Sequence, residues 1–192
     1  LLVADANYNL KKFPTASTLY SKYLTQVDPN KIEIPLQFRI GYVAYLNKET
    51  EVAINFFKKV ASLSDDELGY YASYYLGVLY VELGNKMYAV TAFDKSRNLP
   101  MDKSVREESL FQYAKLNYEL GRSDEAISSL EAYSNIFPEG KYEEEVSDLI
   151  SEAFFHTNDY EKAINYTKSV SKKTPKIKEI FQKASFYKGV ED

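Results

Sequence analysis

Five alanines hold one register along the chain: Ala16, Ala53, Ala89, Ala126 and Ala163, separated by 37, 36, 37 and 37 residues. Each sits in a similar segment: KKFPTASTLYSKYL, KETEVAINFFKKVA, GNKMYAVTAFDKSR, GRSDEAISSLEAYS and NDYEKAINYTKSVS. A fixed period of this length is the mark of a repeat architecture, in which each unit buries its apolar face against its neighbours.

Each unit reads as two helices. In the third, Leu76, Leu79, Tyr80 and Leu83 recur at steps of three and four, one face of a helix. Gly84 and Asn85 break it, because glycine takes the left-handed conformation that ends a helix. Ala89, Val90 and Phe93 then form the buried face of a second helix. The fourth unit repeats the scheme with Leu116 and Leu120, the break 121–123, then Ala126, Ile127 and Leu130; the fifth uses Asn158 and Asp159 at the break. Two antiparallel helices joined by a short turn approach closely only where a small side chain lies at the crossing. The register alanine is that residue on the second helix, and Gly41, Gly77, Ala114 and Ser151 answer it on the first. Prolines 29, 100, 138 and 175 follow second helices, where no helix interior is interrupted. Asp102, Ser123 and Asp159 are expected N-caps, and residues 143–145 place three glutamates in a first turn.

The expected fold is all-α: a right-handed α–α superhelix of about eleven helices, in five pairs plus an unfinished one. The chain reads as one array over 1–192, with approximate repeats 1–29, 33–65, 69–101, 105–138 and 142–175, and a partial unit at 176–192. Both ends look cut from a longer chain. The last helix, 177–188, is expected to expose an apolar edge with Ile180, Phe181 and Phe186, and so to invite end-to-end self-association.

LGVLYVELGNKMYAVTAF resembles a tetratricopeptide repeat, with Leu76, Gly77, Tyr80, Leu83, Gly84, Ala89 and Phe93 on its signature points. Units two, four and five match more loosely, and unit two has Lys48 where a glycine is usual. The resemblance implies a helical repeat that binds proteins or peptides, with no enzymatic activity and no cofactor. FPTASTLYSKYL and FPEGKYEEEV are similar to Phe/Tyr-Pro steps in repeat proteins of the bacterial cell envelope. That implies a periplasmic or envelope scaffold, with a cytoplasmic location as the alternative.

In such a stack the first helices line the concave side. Candidate partner-binding residues are Phe38, Tyr42 and Tyr45 in unit two, Tyr74 and Val78 in unit three (with Tyr71 beside them), Phe111, Lys115 and Tyr118 in unit four, and Glu152 in unit five. Glu119, Asp148, Phe155 and His156 flank the last two sets. The groove is expected to be aromatic at its N-terminal end and acidic at its C-terminal end. Tyrosine combines a rigid apolar ring with a polar tip, a pairing favoured in binding surfaces. The same rings also suit packing between repeat layers. Co-chaperone members of the family hold a terminal carboxylate with basic side chains at matching points. Only Lys115 is basic here, so that clamp is not expected.

Other chemistry has little footing. Cysteine is absent and His156 is the only histidine, so thiolate sites and a His-based triad lack their residues, and no metal is expected. No phosphate-binding glycine loop occurs. The net charge of −4 gives no basic footprint for nucleic acid, and no apolar run is long enough to span a bilayer. The leading reading is a non-catalytic interaction scaffold, within a larger assembly or envelope protein. The alternative is a peptide-sensing regulatory module that controls a separate output domain.

Overall fold

The left-handed residue that ends each first helix is the local feature that sets the repeat. In the computed structural model, which describes residues 1–100 and 102–191, Lys11, Lys48, Gly84, Gly121 and Asn158 all have φ between 56° and 73°. Behind each, the next backbone N–H reaches back five residues: Asn85 N to Tyr80 O at 2.8 Å, Glu49 N to Ala44 O at 2.9 Å, Asp159 N to Phe154 O at 3.1 Å. This is the glycine-type helix stop with its long-range bond, built here on lysine twice and asparagine once.

The described chain forms eleven α-helices and a short 3₁₀ turn at Pro29–Lys31. The hairpins are α1 (Leu2–Asn9) with α2 (Phe13–Leu24), α3 (Ile34–Leu46) with α4 (Thr50–Leu63), and α5 (Glu67–Glu82) with α6 (Lys86–Ser96). They continue with α7 (Lys103–Glu119) and α8 (Ser123–Ile136), α9 (Glu143–His156) and α10 (Tyr160–Ser169), and a closing α11 (Pro175–Glu191). The helices gather into two compact units, 1–102 and 103–192. Within each, every helix packs on its predecessor and successor.

All five register alanines are 0% exposed. A Cβ on Gly77 would lie 2.6–2.8 Å from the ring of Phe93, and one on Gly41 would lie 3.1–3.2 Å from Phe56 and Phe57. The small residue therefore lets an aromatic ring of the second helix settle onto the backbone of the first. Around these crossings the first unit has a core of Tyr20, Ile32, Ile40, Val43 and Phe56. The second is built on Leu110, Phe111, Leu130, Tyr133, Ile150 and Phe154.

Polar locks join neighbouring hairpins. The Tyr20 hydroxyl donates to Asp5 at 2.7 Å, and Arg39 pairs with the same carboxylate at 2.5 Å. Lys95 donates to the carbonyls of Ala61 and Ser64 at 2.7 and 2.8 Å. In FPEGKY the Tyr133 hydroxyl donates to Glu107 at 2.6 Å and accepts from Tyr142 N at 2.9 Å, while Lys141 N also donates to Glu107 at 2.6 Å. A side chain at Gly140 would lie 2.4 Å from that hydroxyl, so the step is built around a residue without one.

Two local expectations change. Ser123 opens α8 rather than capping it; Arg122 holds the N-cap position, and no side chain bonds the free N–H groups there. Asp159 does cap α10, accepting from Lys162 N at 3.1 Å, and Asp66 caps α5 in the same way. Ile180 does not lie on an exposed edge. It is 4% exposed and packs in the core with Ala184, because α11 docks on α9 and α10 through Ile177, Ile180 and Ala184. Phe181 and Phe186 do reach solvent.

Candidate partner-binding surface

In the first unit the predicted residues of α3 and α5 come together. Phe38, Tyr42 and Tyr45 lie at i, i+4 and i+7 on α3, one stripe of a helix face, and Tyr74 and Val78 lie at i and i+4 on α5. All five are half-buried. Tyr75 joins them as the hub. Its ring centroid is 6.3 Å from Phe38, 5.4 Å from Tyr42, 5.0 Å from Tyr45 and 5.4 Å from Tyr74. Below, it stacks on Phe57 at 5.2 Å and 15°. Phe57 and Phe93 are fully buried, so the rings form a continuous layer with a core floor and an open upper side. Offset and edge-on contacts at these distances are the favoured geometries of aromatic pairs.

Burial pushes the Tyr75 phenol well above the usual tyrosine range, with the neighbouring phenols adding to it. Tyr45 is raised mainly by burial and secondarily by Glu82. These hydroxyls thus stay neutral hydrogen-bonding groups at ordinary pH, set in an apolar layer. The Lys48 ammonium lies 5.9 Å from the Tyr45 ring at its margin. Tyr71 turns away from the layer and donates to Asp102 at 2.9 Å.

Tyr75 was the residue to find. Its position one turn after Tyr71 gave a signal, but the α5 sequence YYASYY spreads four tyrosines over a wide arc of the helix, and only the packing selects among them.

The second unit differs from expectation. Phe111 is 1% exposed and cannot line an open groove. The ring of Tyr142 lies flat on it at 3.9 Å and 5°, and Tyr133 meets it edge-on at 6.2 Å. The FPEGKY step thus covers the place that Tyr74 occupies one repeat earlier.

The acidic character is also compensated. Lys115 pairs with Glu145 at 2.7 Å, and Lys176 pairs with Glu152. Tyr118 is half-buried beside that second pair; burial raises its pKa, Glu152 adds to the rise and Lys176 opposes it. His156 is exposed, with its ring 6.4 Å from Tyr118. Lys115, Tyr118 and Glu152 therefore belong to an ion-paired surface rather than an acidic one. Among the described residues no group of three or more acids and histidine could hold a metal ion, and no helix is long and apolar enough to cross a membrane.

The repeat geometry is now matched from outside. A family model described as "Tetratricopeptide repeat" matches residues 71–98 and 108–140, which span the third and fourth hairpins. The third and fourth hairpins are tetratricopeptide repeats.

Among solved structures it is similar to MamA, at 22% identity and a TM-score of 0.62 over 96% of this chain and 98% of that one. It is also similar to YrrB, described as a tetratricopeptide-repeat protein with an unusual peptide-binding site. That match has 19% identity and a TM-score of 0.64, over 97% of this chain and 88% of that one. A tetratricopeptide-repeat protein from Parabacteroides merdae matches at 18% identity and a TM-score of 0.51, covering 97% and 70%. No curated protein sequence matches. These likenesses fix the all-α helical-repeat fold.

Proposed function

We propose that this tetratricopeptide-repeat chain is a non-catalytic scaffold for a protein or peptide partner, which it takes on the aromatic layer of α3 and α5. The observation that carries the reading is the six-residue surface of Phe38, Tyr42, Tyr45, Tyr74, Tyr75 and Val78. Its rings are held by Phe57 and Phe93 beneath and left open above. A ring already fixed by packing loses little rotamer freedom on binding, so its apolar area and its hydroxyl both contribute to affinity. The partner surface that fits is an extended or helical segment with apolar side chains for the rings and polar groups for the phenols. The peptide-binding site named for YrrB, on a similar fold, supports the same use of such repeats. Phe111 is excluded from the contact set, and Lys115, Tyr118 and Glu152 form at most a polar continuation in the second unit. The reading has the chain acting within a larger assembly, one of the cell envelope in the case that the Phe–Pro steps imply.

A photo-crosslinking amino acid at Tyr45 or at Val78, introduced in the native cell, tests this. The expected result is one shared partner protein at both positions and none from the exposed Glu51 on α4. Adducts confined to the chain itself, or the same adducts from Glu51, would overturn the reading.

A further inference from the structure

The aromatic layer continues beyond α3. Tyr42 meets Phe13, at the start of α2, edge-on at 6.4 Å, and Phe13 meets Tyr8 of α1 at 6.2 Å. Tyr75 and Tyr74 follow Tyr42 in steps of 5.4 Å. Tyr8, Phe13, Tyr42, Tyr75 and Tyr74 thus form one row of rings across the three hairpins of the first unit. Each is half-buried, so each keeps part of its ring in solvent. Successive planes turn by 55° to 83°, which gives the row ridges and slots in place of a flat face.

The hydroxyls of this row differ from the other covered phenols of the chain. Tyr20, Tyr71, Tyr133 and Tyr142 each donate to a carboxylate, on Asp5, Asp102, Glu107 and Glu108. In the layer no acid takes that place. Among the described residues the Tyr42 and Tyr75 phenols have only each other, and Tyr45, beside them, has no acceptor. Donors are therefore left for a ligand. The charge at the margins cancels: Lys48 and Glu82, of opposite sign, flank Tyr45, and Arg39, 5.2 Å from the Tyr8 ring, is paired with Asp5.

These features select among the shapes a peptide can take. The backbone groups of α3 and α5 are spent within their helices, so there is no sheet edge for a strand to extend. A helical ligand has likewise spent its own carbonyls and offers the phenols none. A polyproline II segment has no internal hydrogen bonds, so all its carbonyls are free to accept, and its stiffness lowers the entropy lost on binding. At about 3.1 Å per residue, each step between rings spans about two residues of such a segment.

We propose, on the reading of this layer as the partner site, that the row takes a proline-rich segment of the partner protein in polyproline II form. Its pyrrolidine rings lie in the slots between the aromatic rings, and its carbonyls accept from the phenols of Tyr42, Tyr45 and Tyr75. The site then reaches past α3 to Phe13 and Tyr8.

The test uses the intact 192-residue chain and a fluorescein-labelled decaproline peptide. Fluorescence anisotropy should show saturable binding that changes little between about 0.05 and about 0.5 M salt, because no net charge is involved. The double variant Y42F/Y45F loses two hydroxyls and keeps both rings, and should bind about tenfold more weakly. Tyr8→Leu should bind about fivefold more weakly. Both should keep the far-UV circular dichroism and thermal midpoint of the parent. Tyr88→Phe, exposed on α6, should bind as the parent does. No saturable binding, equal binding of a glycine–serine peptide of the same length, or parental binding by Y42F/Y45F would each overturn the proposal. Binding of a leucine-rich stapled helix that Tyr42→Ala abolishes, with none of decaproline, would overturn it and leave the scaffold reading standing. Crosslinks from Tyr45 and Val78 that stay within the chain would remove both.

Discussion

Replacing glycine by alanine at Gly77, in α5, and at Gly189, in α11, should change stability in opposite directions. Alanine is the better helix former by about 1 kcal/mol in a helix interior, because glycine loses more backbone freedom on folding. At Gly77 that gain meets a steric cost. The new methyl would lie 2.6, 2.7 and 2.8 Å from Cε1, Cζ and Cδ1 of Phe93. Phe93 is 1% exposed and in edge contact with Tyr74, so its ring cannot swing clear without moving the aromatic layer. Overpacking of this kind costs about 1–3 kcal/mol, leaving a net loss of up to about 2 kcal/mol for Gly77→Ala. Gly189→Ala meets no atom within 4 Å and should gain up to about 0.5 kcal/mol, less than the full propensity because it lies in the last turn of α11. Urea unfolding followed by circular dichroism reads both, with midpoints moving in opposite directions at constant slope. Adding Phe93→Leu to Gly77→Ala should return part of the loss, since the two sites are in contact and their effects are not additive. A Gly77→Ala midpoint at or above that of the parent would refute the claim that these crossings are closed by ring-on-backbone packing.

Other perturbations follow from the same geometry. Lys48→Gly should stabilise by about 0.5–1 kcal/mol, because Lys48 holds φ 62° where glycine has no Cβ strain; a lower thermal midpoint would contradict this. Tyr133→Phe removes a hydroxyl that serves both Glu107 and Tyr142 N, and should cost about 1–3 kcal/mol by urea unfolding. At Glu108, burial pulls the carboxyl up but is outweighed by bonds from Tyr142, Gln112 and Lys141, so its pKa falls below the usual 4.5. A depressed carboxylate contributes stability above its unfolded pKa and loses it as pH falls through the folded one. Glu108→Gln should therefore flatten the stability-against-pH curve below about pH 4.5, and an unchanged acid limb would count against the Glu108 contacts.

Much of the fold can be read from the one-dimensional pattern, because its determinants are local and periodic. The five alanines, the turn residues and the glycines at crossings recur at a fixed interval, so eleven helices and their pairing follow without long-range information. The turn at Lys48 shows the limit of residue type as a guide: the position requires a left-handed backbone, and lysine accepts it when the flanking helices are fixed.

The surface was legible only in part. Periodicity put Phe38, Tyr42, Tyr45, Tyr74 and Val78 on helix faces that do converge. It could not tell Phe111 from Tyr74, since both occupy the same repeat position. Whether a ring is open or covered depends on what a distant loop lays over it, and Tyr142 lies 31 residues beyond Phe111. Nor could composition reveal that Glu145 and Glu152 face Lys115 and Lys176, because a charge is compensated by distance in space and not by distance along the chain. The sequence by itself determined the repeat, its period and its helix ends, through backbone and small-residue requirements that act within about 40 residues. Tertiary structure alone decided which aromatic rings are surface and which acids are neutralised, because burial and electrostatics are properties of neighbours that no periodicity specifies.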